Sequence, residues 1–235
     1  MNTLNYVGEE LDLFAHAHHW KSYWASRLRP CIRGDVLEVG AGLGVNTALL
    51  RSGKESRWVC LEPDPKLVTR LKETTLKTNH RTVCEVVTGT IDSLPADQKF
   101  DTVLYIDVLE HIDGDRDEVR RAAARLKPGG RLIVLSPAHG WLYSPFDQAI
   151  GHCRRYTVRM LASLTAVNLR VARAFYLDSV GLLASAANRL LLKQSMPKAG
   201  QLRFWDNCMV PCSRVLDVLT GYRLGKSVVC IWERN

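Results

Sequence analysis

The sequence predicts an α/β fold in which a parallel β-sheet is covered by helices on both faces. Short apolar runs alternate with stretches of helical pattern from residue 35 onward. Strands that alternate with helices are typical of parallel sheets. The apolar runs are continuous, which indicates strands that are buried on both faces. With 235 residues, 46% of them hydrophobic, the chain is long enough to bury such a core.

Five apolar runs are predicted to be strands, at residues 35–40, 58–62, 84–89, 100–107 and 131–136. A helix is predicted at about 65–75, and an amphipathic helix at 115–126, with its charges on one side. The Lys-Pro-Gly-Gly sequence at 127–130 ends that helix, because glycine suits the left-handed conformation of a C-cap. Two further strands are predicted at 169–178 and 225–233.

Four segments are expected from this pattern. Residues 1–34 are predicted to form a helical N-terminal lid, and residues 35–178 the α/β core. Residues 179–224 are predicted to be a helical insert that caps the substrate site, and residues 225–235 the final strand of the core. The first helix of the insert is apolar on nearly all sides, which is typical of a helix that is buried or contacts lipid.

Composition excludes several classes of protein. A charged fraction of 24% is ordinary for a globular domain and excludes a disordered tail, a collagen-like chain and a coiled-coil rod. We find no apolar stretch of about 18 residues, the length that a spanning helix needs. The first residues lack the basic and apolar pattern of a secretory signal. The seven cysteines are scattered, so we expect reduced thiols and a cytoplasmic location.

The net charge of +8 is weak evidence for an anionic partner. The basic residues are spread along the chain, so the charge does not favour a nucleic acid. An anionic membrane surface and a phosphorylated substrate stay open as alternatives.

A glycine-rich turn follows the first predicted strand, with the sequence Glu38-Val-Gly-Ala-Gly-Leu-Gly44. Small residues let a backbone turn sharply and approach a ligand closely, and the free N–H groups of the next helix face that ligand. Glu62 ends the second predicted strand, where a carboxylate can accept hydrogen bonds from both ribose hydroxyls. The turn departs from the G-x-G-x-x-G pattern of dinucleotide sites, which points away from redox chemistry.

Four motifs stand in order: VLEVGAGLG, LEPDPKL, FDTVLYIDVLEHI and LKPGGRLIVLSP. On these, the chain resembles class I S-adenosylmethionine-dependent methyltransferases, and most closely the type 11, 12 and 23 groups, which include ubiquinone-pathway O-methyltransferases. The resemblance covers about residues 33–137. It implies a Rossmann-like, doubly wound, seven-stranded and mostly parallel sheet. It also implies methyl transfer from S-adenosyl-L-methionine, with S-adenosyl-L-homocysteine as product and no metal.

The resemblance further implies which residues bind the cofactor. Glu38 is expected near the methionine amine, Glu62 at the ribose hydroxyls, and Asp107 near the methionine or the methyl-transfer channel. The other residues expected around the cofactor are Gly40, Ala41, Gly42, Pro63, Asp64, Thr90 and Ile91.

The adenine end departs from the family pattern. Pro63 and Asp64 would flank the adenine, as in relatives. Many relatives also carry an aspartate after the third strand that accepts from the adenine amino group. Thr90 stands at that place here, and Ile91 would cover the adenine face.

The acceptor must be aligned with the methyl group and shielded from water, since a sulfonium methyl is already electrophilic. A hydroxyl acceptor also benefits from a general base, whereas a thiol or amine needs only alignment and a proton sink. His111 and His139 are the candidate catalytic residues, because each follows a strand at the edge where such sheets bind ligands. For His111, a packing or capping role is the alternative.

Two segments are candidates for acceptor binding. The loop at 141–156 is rich in aromatic and basic groups, and an arginine there could hold a phosphate or carboxylate. The alternative is that its arginines pair with acidic residues and fix the loop. In the N-terminal segment, Trp20 or Tyr23 is expected to close over the site, with packing as the alternative. The loop candidates are Tyr143, Asp147, His152, Arg154, Arg155 and Tyr156.

The sequence thus predicts an enzyme that methylates a small-molecule or lipid-linked acceptor at oxygen, nitrogen or sulfur. Lys193, Arg203 and Arg214 would suit peripheral contact with an anionic inner membrane surface. The alternatives are a nucleic-acid or protein methyltransferase and a catalytically silent cofactor-binding partner subunit. The sequence at 107–110 lacks the Asn/Asp-Pro-Pro-aromatic run of base-amine methylases, which counts against nucleic acid. The oligomeric state is not predicted.

Overall fold

A computed structural model gives the structure of residues 15–77, 84–189 and 199–235. Seven strands form one sheet in the order β3-β2-β1-β4-β5-β7-β6. The strands are β1 (Asp35–Val39), β2 (Arg57–Glu62), β3 (Cys84–Thr88), β4 (Phe100–Ile106), β5 (Leu126–Pro137), β6 (Leu169–Leu177) and β7 (Ser227–Arg234). β7 runs antiparallel to both β5 and β6, and the other pairs are parallel. The predicted seven-stranded, mostly parallel sheet is confirmed.

Helices surround the sheet. In the described residues they are α1 (His18–Leu28), α2 (Val45–Leu50), α3 (Pro65–Lys77), α4 (Asp115–Ala124), α5 (Pro145–Ala149), α6 (Val158–Ser163), α7 (Ser179–Ala187), α8 (Ala199–Phe204) and α9 (Val210–Leu219). A π-helical turn, Trp205–Met209, joins α8 to α9. None of the described helices has the length and hydropathy to cross a bilayer. Residues 1–14 of the predicted lid, and Lys193, lie outside the described residues.

The strands bury side chains on both faces, as their continuous apolar runs predict. Val36 and Trp58 belong to one buried cluster, which α1 and α9 cover. Leu37 and Val59 belong to a second cluster, which α4 and α6 cover. Successive side chains of a strand point to opposite faces, so each strand contributes to both clusters.

The amphipathic helix predicted at 115–126 ends earlier in the structure, at Ala124. Leu126 already pairs with Phe100 of β4, so β5 begins there and includes the Lys-Pro-Gly-Gly sequence. The glycines therefore lie in an irregular stretch of strand rather than in a helix C-cap.

The strand order places the carboxyl ends of β1 and β4 side by side. From β1 the chain proceeds to β2 and β3 on one side, and then returns to β4 on the other. In open α/β sheets, ligands bind at such a reversal, outside the carboxyl ends of the strands. The fold thus points to the residues that follow β1 and β4 as the site.

Candidate active site

A cavity of about 1170 Å³ lies at the carboxyl ends of β1 and β4. Its wall is formed by the glycine-rich turn after β1, the segments after β4 and β5, α1, and the helices between β6 and β7. A drug-sized ligand typically occupies a pocket of about 300–1,000 Å³. The cavity therefore has room for a nucleoside-sized ligand together with a second molecule.

The glycine-rich turn presents bare main chain to this cavity. Gly40, Gly42 and Gly44 have φ values of +69°, +56° and +76°, which glycine adopts readily. A Cβ atom on Gly40 would lie 2.6 Å from a methyl carbon of Val108. Gly40, Ala41 and Gly42 all line the cavity, as expected for residues that hold a cofactor.

Glu62 lies at the end of β2 and is 5% exposed. Its Oε2 accepts from the N–H of Gly42 at 2.8 Å, and its Oε1 accepts from the N–H of Asp64 at 3.0 Å. Burial raises the pKa of Glu62, and these two N–H donors oppose the rise. Each carboxylate oxygen retains acceptor capacity for one more donor, as a ribose diol requires. Gly42, which donates to this carboxylate, lines the cavity, so Glu62 lies directly behind the cavity wall.

The residues expected at the adenine end lie beside Glu62 but outside the cavity wall that the described residues form. Asp64 is buried and accepts from the N–H of Lys66 at the start of α3. Thr90 caps the short helix Ile91–Ser93, in which Ile91 is buried. For these residues and for Pro63, contact with an adenine stays a prediction.

Glu38 is buried behind the turn. Its Oε2 accepts from Thr47 Oγ1 at 2.7 Å and from Trp58 Nε1 at 3.0 Å. Burial raises the pKa of Glu38 to about 7, although these hydrogen bonds and the charge of Lys21 oppose the rise. Lys21 of α1 lines the cavity, donates to Asn46 at 2.8 Å, and has its pKa lowered by burial. Lys21 could not be predicted from the sequence, since only folding brings α1 to this edge.

Asp107 follows β4 with a φ of +54°, an unusual backbone conformation for a residue other than glycine. Its side chain is open to the cavity but enclosed by protein, and burial raises its pKa. The charges of Lys21, His152 and Lys226 oppose that rise. Asp107 thus places a carboxylate at the cavity among three basic side chains, and backbone strain of this kind is common at functional sites.

Asp147 is fully buried and accepts five hydrogen bonds. Arg155 donates from Nε at 2.8 Å and from a terminal nitrogen at 3.0 Å, and the ring of His152 bonds through Nδ1 at 2.8 Å. The N–H and the hydroxyl of Ser144 each donate at 2.9 Å. Burial alone would raise the pKa of Asp147, but the hydrogen bonds from His152, Arg155 and Ser144 lower it well below its ordinary value.

The other loop candidates hold the loop in place and lie outside the described cavity wall. Arg154 donates to the carbonyl of Ile112 at 2.7 Å and pairs with Asp115 at 3.2 Å. The hydroxyl of Tyr156 donates to Asp115 at 2.9 Å, and that of Tyr143 to the carbonyl of His152 at 2.6 Å. The expected acceptor contact therefore fits His152 and Arg155, which line the cavity, better than Tyr143, Asp147, Arg154 and Tyr156.

The two candidate bases occupy different places. His111 lines the cavity, and burial lowers its pKa to about 4. His139 lies outside the cavity wall formed by the described residues, with Nε2 2.9 Å from the carbonyl oxygen of Gly225 and its ring stacked on Tyr176. The expectation that the position after β5 would bring His139 to the acceptor is therefore not supported, because its ring turns toward β6.

Two further cavity residues carry polar groups that the sequence analysis missed. Glu110 is fully buried; its Oε2 accepts from Ser136 at 2.9 Å, and burial together with Asp107 raises its pKa well above normal. Lys226 precedes β7, and burial lowers its pKa against the opposing charge of Asp178. Glu110 stands within the DVLEH motif, which is the signal that could have found it. No local pattern marks Lys226.

Buried carboxylates attach α1 to the helical insert over the cavity. Asp206 accepts from the N–H groups of His19 at 3.1 Å and Trp20 at 2.8 Å. Asp217 accepts from the hydroxyl of Tyr23 at 2.7 Å. Trp20 lines the cavity, as expected for a lid, whereas Tyr23 is buried in the packing beneath it.

Comparisons with known proteins agree with this geometry. Residues 37–134 match the family model described as a methyltransferase domain. The ubiquinone biosynthesis O-methyltransferase of Xanthomonas axonopodis pv. citri (strain 306) is 31% identical over 117 residues, covering 48% of this chain and 46% of that protein. The demethylmenaquinone methyltransferase of Tropheryma whipplei (strain Twist) is 28% identical over 154 residues, covering 64% and 61%. The chain spans about half the length of such curated relatives.

A solved structure extends the likeness of fold to nearly the whole chain. The methyltransferase bound to the Trm112 activator of Haloferax volcanii has a TM-score of 0.63, with 18% identity over 97% of this chain and 99% of that one. Another similar solved structure is described as an S-adenosylmethionine-dependent methyltransferase from Clostridium acetobutylicum, with a TM-score of 0.58 and 11% identity over 93% of this chain and 92% of that one. Residues 37–134 thus match a methyltransferase domain, and the described chain shares its fold with solved methyltransferases.

Proposed function

We propose that the chain transfers a methyl group from S-adenosylmethionine to a small, largely apolar acceptor, either free or lipid-linked. The observation that carries the proposal is the single cavity shared by the glycine-rich turn, Asp107 and the helical insert. Relatives named as a ubiquinone biosynthesis O-methyltransferase and a demethylmenaquinone methyltransferase support an acceptor of this class.

The residues at the carboxyl ends of the strands, on one side of the cavity, fit the cofactor. Val108 leaves no room for a Cβ atom on Gly40, so the main chain of this turn stays bare at the cavity, and Glu62 has acceptor capacity suited to ribose hydroxyls. Glu38 and Asp107 supply carboxylates on the side where the methionine ammonium would be held. When bound, the cofactor supplies an electrophilic methyl group on a positively charged sulfur.

The residues on the other side of the cavity, toward the helical insert, fit an apolar acceptor. Side chains from α1, the loop after β5 and the insert form that part of the wall, among them Trp20, Leu142, Phe146, Leu202 and Trp205. Such a wall excludes water and restricts the orientation of the acceptor, which is most of what methyl transfer asks of a protein. Arg155 and Lys226 add positive charge to this half of the cavity.

Labelled S-adenosylmethionine tests the proposal when the protein is incubated with a cell extract that is then separated into lipid, small-molecule, protein and RNA fractions. We expect label in the small-molecule or lipid fraction, and calorimetry should show binding of S-adenosylhomocysteine. Label confined to RNA or protein would replace the proposal by a macromolecular methyltransferase. Tight binding without label in any fraction would indicate a silent partner subunit.

Helix α9 supports the lipid side of the proposal, because four of its five aliphatic side chains face outward. Val215, Val218 and Leu219 are 61%, 55% and 75% exposed, whereas the inward Ser213 and Asp217 are fully buried. An amphipathic helix of a soluble domain usually has the reverse arrangement. We refer to Val215, Leu216, Val218 and Leu219 as the outer face of α9.

The exposed charges of the segment that carries the outer face are basic, which is complementary to an anionic membrane. Within 199–226, Asp206 and Asp217 are the acidic residues and both are buried. Arg203 and Arg223 in the same segment are exposed. An apolar helix face flanked by basic side chains is typical of peripheral attachment to anionic lipid. The proposal therefore places this face on the membrane surface.

Vesicle flotation tests the attachment. We expect the protein to float with phosphatidylglycerol vesicles more than with phosphatidylcholine vesicles, and the double variant Val218→Ser, Leu219→Ser to bind at least about tenfold more weakly. Burying one such side chain contributes roughly 1.5–3 kcal/mol. Leu76→Ser is the matched control, since Leu76 is 84% exposed on α3, away from this face. Equal flotation of both variants, or a wild-type dimer that the double variant abolishes, would contradict the attachment.

A further inference from the structure

The two ring nitrogens of His152 have different surroundings. Nδ1 lies 2.8 Å from Oδ1 of Asp147, and Nε2 lies 3.9 Å from Oε1 of Glu110. An ionised carboxylate only accepts hydrogen bonds, so Nδ1 carries the proton in the neutral ring. Nε2 is then the unprotonated nitrogen, and the ring belongs to the wall of the cavity.

The ring is held in this orientation from several directions. Asp147 is fixed by Arg155 and Ser144, and the backbone N–H of His152 also donates to the Asp147 carbonyl at 2.8 Å. The carbonyl of His152 accepts from the hydroxyl of Tyr143 at 2.6 Å. A histidine whose Nδ1–H is bound by a buried carboxylate has a fixed tautomer and a fixed ring plane, which is the arrangement that catalytic bases require.

Glu110 provides an acceptor that is unused while His152 is neutral. Its Oε1 is buried and makes no hydrogen bond to any residue that the structure describes. A buried acceptor without a partner is destabilising and uncommon, so it calls for an explanation. A proton on Nε2 of His152 would give Oε1 a cationic neighbour, and the imidazolium would then lie between two carboxyl groups.

We propose that His152 is the general base that takes the proton from an acceptor hydroxyl, with Asp147 and Glu110 as positioning residues. The proposal rests on the proposed methyl transfer and specifies that the acceptor atom is oxygen. His111 is less suited to this role because burial lowers its pKa to about 4, which makes it a weak base. Its ring also packs edge-on against that of His152, with the ring centroids 4.6 Å apart. His139 lies outside the described cavity wall.

The acceptor oxygen forms a bond to the methyl carbon while the carbon–sulfur bond breaks, and that electron pair stays on sulfur, which becomes a neutral thioether. The hydroxyl proton moves to Nε2 of His152. Transfer of that proton to solvent after product release restores the neutral base.

The test compares the wild type with His152→Ala on the extract fraction that carries label and on two probe acceptors, catechol and 4-nitrocatechol. We expect kcat with catechol and with the fraction to fall by about 10²–10⁴-fold, the usual contribution of a general base. The KM and the affinity for S-adenosylhomocysteine should change by less than about threefold, which corresponds to about 0.65 kcal/mol. Added imidazole should restore part of the rate.

The probe 4-nitrocatechol distinguishes the loss of a general base from a structural defect of the variant. 4-Nitrocatechol loses its proton far more readily than catechol, so His152→Ala should reduce its methylation much less. An equal loss on both probes without rescue by imidazole would overturn the assignment, as would loss of activity on chelation with EDTA and recovery with zinc. Methylation confined to amines or thiols would also overturn it. A wild type that binds S-adenosylhomocysteine but labels no acceptor would instead refute the proposed function, and this assignment with it.

A second variant, Glu110→Gln, tests the proposal if His152→Ala does not fold. Glu110→Gln keeps the shape of the side chain and replaces its carboxyl group by an amide, so we expect a smaller fall in kcat, with the KM of the acceptor unchanged. His16→Ala, at an exposed histidine, should behave as the wild type. A Glu110→Gln variant that raises KM and leaves kcat unchanged would contradict the positioning role.

Discussion

Replacement of Asp217 by alanine is expected to lower the free energy of unfolding by about 4 kcal/mol, the largest effect on stability that we predict. Asp217 is fully buried and accepts from the Tyr23 hydroxyl at 2.7 Å and from the N–H groups of Asp178 and Ser179 at 2.8 and 2.9 Å. Alanine leaves three buried donors without an acceptor, and each costs about 1–3 kcal/mol. For a chain of this length, the melting temperature should fall by roughly 10 °C.

The same substitution should also affect the cap over the cavity. Asp217 connects α9 to Tyr23 of α1 and to the start of α7, so its loss releases three helices at once. Asp97→Ala is the control, since Asp97 is exposed in the loop before β4 and its removal should change stability by less than about 0.5 kcal/mol. Thermal and urea unfolding measure both variants. Similar melting temperatures for the two would contradict the role assigned to Asp217.

The parts of the fold that were predictable are those whose signals are local. A strand buried on both faces needs a continuous apolar run. The runs at residues 35–40 and 100–107 therefore predict β1 and β4 without any tertiary information. The turn from Gly40 to Gly44 is equally local, because its positive φ values select glycine over any other residue.

The chemistry of the site was only partly predictable, because it depends on contacts between distant segments. Lys21 faces Asp107 only after α1 packs over the end of the sheet, and Lys226 reaches the same place from the start of β7. His139, like His111, follows a strand at this edge of the sheet, but it has a φ of +65° and its ring lies against Tyr176 and Gly225. Position after a strand therefore indicates which edge a side chain occupies, and the backbone conformation decides whether it faces the ligand.

Cofactor binding should be most sensitive to a side chain on Gly40. The Gly40→Ala variant is expected to bind S-adenosylhomocysteine at least about 100-fold more weakly, which corresponds to about 2.7 kcal/mol. Its Cβ atom would lie 2.6 Å from a methyl carbon of Val108 and would stand on the main chain that the cofactor must approach. Calorimetry measures the affinity, and Gly40→Val should abolish detectable binding.

Gly53→Ala separates this effect from backbone strain. Gly53 has a φ of +78°, close to the +69° of Gly40, but no atom lies within 4 Å of the Cβ that alanine would add. Both variants bear the cost of a left-handed alanine, roughly 1–2 kcal/mol, and both should melt at a lower temperature than the wild type. If the cofactor binds against the turn, only Gly40→Ala loses affinity. If both variants bind equally well, the turn after β1 is not the cofactor site, and the cofactor must bind elsewhere in the fold.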